Sequence, residues 1–239
     1  MLYLIGLGLN ESGFSYEAFN TIKNSRIVYL ENYTINLPYE KEEIEELIQK
    51  KVKLADREFV ENFKILKEAK EKNVALLVYG SPLIATTHVS LIQEAKKQKI
   101  PIRIIQASSI LDAITETGLQ IYKFGKIASM PEWKKNFTPE SFMEILQQNI
   151  SINAHTLILI DIGLEFSKAL EQLEISAKNK KIKLNKIVIC QSLGTKHKKI
   201  FYNNIKELKK IKIKKPFCII IPSKLHFMEK EFLESFKNV

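Results

Sequence analysis

Cysteine is scarce: Cys190 and Cys218 are the only two in 239 residues. Two distant thiols cannot build a disulfide framework, so a reducing compartment is expected. Arginine is scarcer still for so basic a chain. Of 37 lysines and arginines only Arg26, Arg57 and Arg103 carry a guanidinium. Readers of nucleic acid rely on that planar fork for base and phosphate contacts, so no nucleic-acid partner is expected. No apolar run approaches the roughly 20 residues of a membrane span, and no membrane partner is expected. The N-terminal MLYLIGLGLN lacks the basic start of a signal peptide. A cytoplasmic protein is the expectation. The histidines His88, His155, His197 and His226 include no pair one helical turn apart. Neither a zinc site nor a Cys/His nucleophile is expected. There is no G-x-S-x-G elbow and no GK[ST] phosphate loop.

What is present is ordinary in amount and uneven in sign. Hydrophobic residues make up 45% and charged residues 27%, as in soluble globular chains. The length suits one large domain or two modest ones and can bury a full core. Lysine and arginine outnumber aspartate and glutamate by 37 to 27, a net charge of +10. That excess is either a lysine-rich composition or a diffuse field steering the chain toward an acidic macromolecule.

Short apolar runs bounded by polar turns predict strands at 2–7, 27–30, 74–79, 102–105, 156–160, 186–190 and 217–221. Helical periodicity predicts helices at 40–51, 58–72, 88–98, 110–117, 139–149, 164–179 and 228–236. Within 58–72, Phe59, Phe63, Leu66 and Ala69 form one buried stripe. Strands alternating with helices imply an α/β fold with a largely parallel sheet. Runs such as LILI and CIII suit strands covered on both faces. The segment 118–138 holds Gly118, Gly125 and Pro131 and shows no sustained period. The expectation is therefore two α/β domains, 1–118 and 119–239, with a cleft between them. The basic run at 206–215 reads as a solvated helix end and turn.

Three strand ends in the first half carry small-residue turns. The first is Gly6-Leu7-Gly8-Leu9-Asn10-Glu11-Ser12-Gly13. It begins a dinucleotide fingerprint, with Glu31 where a ribose-binding acid would sit, but Glu11 occupies the third-glycine position and the fingerprint fails. A structural turn accounts for these glycines about as well. The second is Gly80-Ser81-Pro82-Leu83-Ile84-Ala85-Thr86-Thr87-His88, whose hydroxyls suit hydrogen bonding or helix capping. The third is Ala107-Ser108-Ser109-Ile110. Carboxyl ends of parallel strands are where open α/β sheets bind ligands. The pattern suits a nucleoside-like or adenosyl cofactor without identifying one.

Those motifs, taken together, resemble a known family. The start Leu2-Tyr3-Leu4-Ile5-Gly6-Leu7-Gly8-Leu9, the loop GSPLIATTH, the Ala107–Ile110 turn, GLQIYKFGK at 118–126, HTLILIDI at 155–162 and Ile221-Pro222-Ser223-Lys224-Leu225-His226 occur in the family's order. The chain is similar over residues 1 to about 230 to diphthine synthases. These are S-adenosylmethionine-dependent methyltransferases of the tetrapyrrole-methylase class.

The resemblance implies a homodimer of two α/β domains with S-adenosylmethionine in the cleft. It implies elongation factor 2 as the protein substrate. The amino group on its modified histidine would be trimethylated to diphthine, in diphthamide biosynthesis. Carried over position by position, the cofactor contacts are Leu9, Ser81, Ile84, Ser109, Ile110, Asp161, Leu193 and Phe217. No catalytic residue is implied. His88 and His226 are candidate proton acceptors, and Tyr122, Phe124 and Trp133 are candidate ring faces for a growing cation. Three departures stand out. Gly80-Ser81-Pro82 replaces the family's Gly-Asp-Pro, the segment Cys190–Thr195 lacks its arginine, and Ser223 replaces the glycine of Pro-Gly-Lys-Leu-His. The rival readings are a corrin or sirohaem-precursor C-methyltransferase and a non-enzymatic binding module.

Overall fold

A computed structural model describes residues 1–236. It divides into two compact units, residues 1–113 and the residues from 114 on. In the first unit the chain runs β1 (Leu2–Gly6), α1 (Tyr16–Asn24), β2 (Ile27–Glu31), α2 (Lys41–Ile48) and β3 (Lys53–Ala55). Then come α3 (Arg57–Glu61), α4 (Lys64–Ala69), β4 (Val74–Val78), α5 (Val89–Lys97), β5 (Ile102–Ile105) and α6 (Ile110–Ala113).

The first sheet has the order β3-β2-β4-β1-β5 and every pair is parallel. Side chains alternate across it with the period of two that a pleated strand imposes. On β4, Val74, Leu76 and Val78 enter one core while Ala75 and Leu77 enter the other. On β1, Leu2 and Leu4 join the first core and Ile5 the second. Both faces are covered, which is why these strands read as unbroken apolar runs. Residues 58–72 are not one helix. Phe63 takes a left-handed φ of 60° and separates α3 from α4. Asp56 caps α3 by accepting from the Phe59 N–H at 2.7 Å.

The second unit holds a short turn of 3₁₀ helix at Ile121–Lys123, then β6 (Ala128–Met130), α7 (Ser141–Ser151), β7 (Thr156–Ile160) and α8 (Phe166–Asn179). It continues with β8 (Lys186–Gln191), β9 (Lys199–Asn204), α9 (Ile205–Leu208), β10 (Phe217–Ile221) and α10 (Phe227–Glu234). Its sheet has the order β6-β7-β10-β8-β9. The expectation of a largely parallel arrangement fails here. Only β6 and β7 are parallel; β10 runs antiparallel to both β7 and β8, and β9 antiparallel to β8. Apolar periodicity reports that a strand is buried, not which way it runs. Ile158, Ile187, Ile189, Ile219 and Ile221 line one face against Phe142, Leu146, Leu170 and Leu173 of α7 and α8.

Candidate functional site

Strands β4, β1 and β5 are neighbours in the first sheet, so the loops that follow them leave one edge side by side. The loops touch. Gly80 donates its N–H to the Gly8 carbonyl at 2.8 Å, and Gly8 returns the bond at 3.2 Å. Both glycines need the left-handed region, with φ of 70° and 71°. At Gly6 a Cβ would lie 2.7 Å from the Gly80 oxygen and 2.8 Å from the Ala107 Cβ. The three loops meet because residue 6 has no side chain. Beside Gly80 itself a Cβ would find nothing nearer than Ser108 O and Ser109 Cα at 3.9 Å. That is an open notch with bare backbone on one side.

The expected contacts of the first unit gather around this notch. Leu9, Ser81 and Ser109 are buried, Ile110 is half-buried and Ile84 is 37% exposed. The Ser81 hydroxyl donates to Gln106 Oε1 at 2.6 Å, so its lone pairs remain free to accept. Ser109 is fixed through Asp112, which accepts its N–H at 2.6 Å and its hydroxyl at 3.0 Å. Sequence reasoning missed Gln106 and Asp112. The Ser-x-x-Asp spacing of a capping box at 109–112 was a usable signal for the second. None of the three loops contains a lysine or arginine. Bare backbone, an apolar Ile84 surface and hydroxyl acceptors fit a nucleoside-like group, whereas a polyphosphate would call for cations. Among the described residues no group of three or more His, Cys, Asp or Glu is placed to hold a metal ion.

Glu31 does not occupy a ribose-binding position. It ends β2 with 4% exposure and faces His88, Oε2 to Nε2 3.7 Å.

In the second unit β10 lies between β7 and β8 and runs against both. The start of β10 therefore shares a sheet edge with the ends of β7 and β8, which brings Asp161, Leu193 and Phe217 to one edge. Asp161 is exposed, and one carboxylate oxygen accepts from the Glu132 N–H at 3.2 Å. Leu193 is buried in a turn pinned by Glu116, which accepts the Gly194 N–H at 3.0 Å and pairs with Lys198. Nothing in the sequence near Leu193 signals Glu116. The Phe217 ring packs edge-on against Phe166 at 5.5 Å inside the core, leaving its backbone as the available part. Of the candidate ring faces, Tyr122 is 78% exposed. Phe124 packs on His155 at 5.5 Å, and Trp133 donates its ring N–H to the Pro139 carbonyl at 3.1 Å.

The second-unit segments that carry the resemblance meet at one carboxylate. Glu229, fully buried on α10, accepts from the Gln120 N–H at 3.0 Å, the His226 N–H at 2.7 Å and His155 Nε2 at 3.1 Å, and pairs with Lys123. Burial alone would raise its pKa, but Lys123, the two amides and His155 together hold it down to about 2. Burial lowers the pKa of His155, whose Nδ1 accepts from the Ser223 N–H at 3.0 Å. This cluster reads as a structural staple joining residues 118–126, 155 and 223–229. His226 serves as the cap of α10, its Nδ1 accepting from Met228 N–H at 3.4 Å.

Comparison with known proteins identifies the family. The family model of tetrapyrrole (corrin/porphyrin) methylases matches residues 1–209. A diphthine synthase of Methanocaldococcus jannaschii is 38% identical over 251 residues, covering 98% of each chain. A diphthine methyl ester synthase of Schizosaccharomyces pombe is 46% identical over 165 residues, 68% of this chain. The match spans 58% of the length of that fission-yeast protein. A crystal structure of diphthine synthase superposes with a TM-score of 0.88 at 33% identity, covering 99% of this chain and 96% of the other. A solved chain from Entamoeba histolytica gives 0.91 at 32% identity, covering 100% and 99%. Full-length similarity of sequence and fold, on top of three abutting loops at one sheet edge, means that this chain belongs to the tetrapyrrole methylase family, among the diphthine synthases, and is a methyltransferase.

Proposed function

We propose that this chain methylates elongation factor 2 from S-adenosylmethionine in diphthamide biosynthesis, converting the amino group of the modified histidine to the trimethylammonium of diphthine. The observation that carries the reading is the meeting of three cation-free loops at the ends of β4, β1 and β5. Leu9, Ser81, Ile84, Ser109 and Ile110 hold the cofactor from those loops. Asp161, Leu193 and Phe217 are the proposed contacts of the second unit.

Bound S-adenosylmethionine supplies a methyl group already activated on a sulfonium. The task left to the chain is alignment at near-attack distance rather than activation. Ser81 offers acceptor lone pairs where relatives of the resemblance carry a carboxylate. Leu9 and Ile84 give an apolar surface that keeps the attacking amine neutral by disfavouring its charged form. Of the candidate ring faces, Tyr122 is the one left exposed and so free to meet a growing cation. His226 is occupied as a helix cap and His88 by the Pro82 carbonyl, so neither is assigned as a base. The same reading makes the enzyme a cytoplasmic homodimer with no nucleic-acid or membrane partner. Incubation with methyl-labelled S-adenosylmethionine, precursor-bearing elongation factor 2 and a tetrapyrrole precursor tests it. Label on the factor supports the proposal. Label on a tetrapyrrole, or on neither, overturns it.

A second reading is favoured by the similarity to the fission-yeast protein, whose name specifies a methyl ester. An ester requires a carboxylate oxygen as an additional acceptor. Under that reading part of the transferred label is released as methanol by mild alkali. Under the first reading all of it resists.

A further inference from the structure

Behind the second loop lies a polar pair that the reaction above does not use. Glu31, at the end of β2, and His88, just before α5, are both buried, with side-chain exposures of 1% and 0%. The His88 Nδ1 lies 2.9 Å from the Pro82 carbonyl. A carbonyl only accepts, so Nδ1 carries hydrogen and the tautomer is fixed. The other ring nitrogen, Nε2, faces Glu31 Oε2 at 3.7 Å and has no hydrogen-bond partner. A bare lone pair facing an ionised carboxylate in a buried place is costly. A proton on the Glu31 carboxyl gives that lone pair a donor. Burial favours the protonated form of Glu31, opposed by Thr34, His88 and the backbone of Tyr33 and Thr34. Tyr33 also faces the pair. Beyond it stand Arg57 and Glu61, 3.7 Å apart, with Glu61 accepting from the Thr87 hydroxyl at 3.1 Å.

The Pro82 carbonyl is the anchor of the second loop. It accepts from His88 and also from the Thr86 hydroxyl at 2.8 Å. It lies between Ser81 and Ile84, in a turn closed by Ile84 N–H to the Ser81 carbonyl at 3.1 Å and by a left-handed Ala85 with φ of 56°. Whatever sets His88 sets the position of both proposed contacts.

We propose that Glu31 and His88 are positioning residues: the Glu31 carboxyl fixes the His88 ring, whose Nδ1–H holds the Pro82 carbonyl, and through it Ser81 and Ile84, in the cofactor-binding arrangement. This rests on the proposed cofactor reading. Cofactor affinity then stays high while Glu31 holds its proton and falls as rising pH ionises it, because the ring must turn away from a facing carboxylate.

Calorimetric titration with S-adenosylhomocysteine from about pH 6 to about pH 10 tests this. For the wild type the affinity should fall at the alkaline end. Glu31→Gln, which replaces the ionisable carboxyl with a neutral amide, should flatten that profile. His88→Ala should weaken binding about tenfold at every pH, the scale of one lost positioning hydrogen bond. The same pH profile for wild type and Glu31→Gln overturns the proposal. Nitrogen-15 NMR of histidine-labelled wild type is independent of how the variants fold. It should show Nδ1 of His88 protonated and its signal shifting on saturation with S-adenosylhomocysteine. An unprotonated Nδ1, or an unmoved signal, also overturns the proposal. If the wild type fails to bind S-adenosylhomocysteine at any pH, the cofactor reading itself is what fails.

Discussion

Gly6→Ala puts the loop arrangement to a sharp test. The substitution adds one methyl group at the end of β1. It changes no charge, and Gly6 has an ordinary φ, so the backbone itself is not strained. The added Cβ would sit 2.7 Å from the Gly80 oxygen, 2.8 Å from the Ala107 Cβ and 3.0 Å from Pro82 Cδ. Ordinary contact needs about 3.4–4 Å, so each neighbouring loop must retreat by roughly half an ångström. Two of the three atoms belong to the second loop. Overpacking of this kind costs about 1–3 kcal/mol. At about 2–4 °C per kcal/mol, the melting temperature falls by roughly 2–12 °C. Affinity for S-adenosylhomocysteine falls by about 5- to 150-fold if the ligand needs the native spacing and the full cost is felt in binding. Calorimetric binding and a thermal melt on the same sample separate the two effects. Unchanged binding together with an unchanged melting temperature would refute the claim that the loops abut through residue 6.

Further outcomes follow from other parts of the molecule. Ser109→Trp, which fills the notch beside Gly80, should abolish detectable cofactor binding by calorimetry while the protein remains folded by circular dichroism; unchanged affinity would sink the assignment. Glu229→Ala should destabilise by about 3–5 kcal/mol in a denaturant titration, since it leaves the Gln120 and His226 amides and His155 Nε2 without their acceptor. Stability should fall on acidification in two stages. His155, with its pKa lowered in the fold, takes up a proton more readily unfolded, so stability declines below the ordinary histidine range. Glu229, held at about 2, contributes stability that is full above the ordinary carboxylate range and lost as pH falls toward that value. A stability flat from pH 7 to about pH 3 would contradict both. Raising salt from about 0.05 to 0.5 M should slow association with elongation factor 2 if the +10 charge steers docking.

Most of the first unit was legible because its strands are covered on both faces and read as apolar runs, as Val74–Val78 shows with every residue buried. The strands that escaped are short or on an edge. β3 has three residues, two of them exposed. β6 has three residues inside the stretch without periodicity, and β9 is the edge strand KIFYNN with one buried position. Helix α1 was hidden by the polar turn before it, although Ser15 caps it by accepting from the Ala18 N–H at 3.1 Å. The break at Phe63 was not legible because the apolar stripe of 58–72 continues across it. Strand direction in the second sheet was invisible for a related reason: an antiparallel buried strand has the same composition as a parallel one.

At the site, the small-residue turns that the sequence singled out fall together on one sheet edge. What sequence alone did not show is what holds them. Gln106 and Glu116 act across 25 and 78 residues of chain, and no local pattern encodes such a contact. His155 looked like an ordinary lone histidine, and only the fold joins it to Glu229, 74 residues away.

Transfer of methyl groups to elongation factor 2 is read by tandem mass spectrometry of the factor's modified-histidine peptide, after incubation with this protein and S-adenosylmethionine. Methyl mass increments should be confined to that peptide, and absent when Ser109→Trp replaces the wild type. An unmodified peptide, from a wild-type protein that demonstrably binds S-adenosylmethionine, would contradict that transfer.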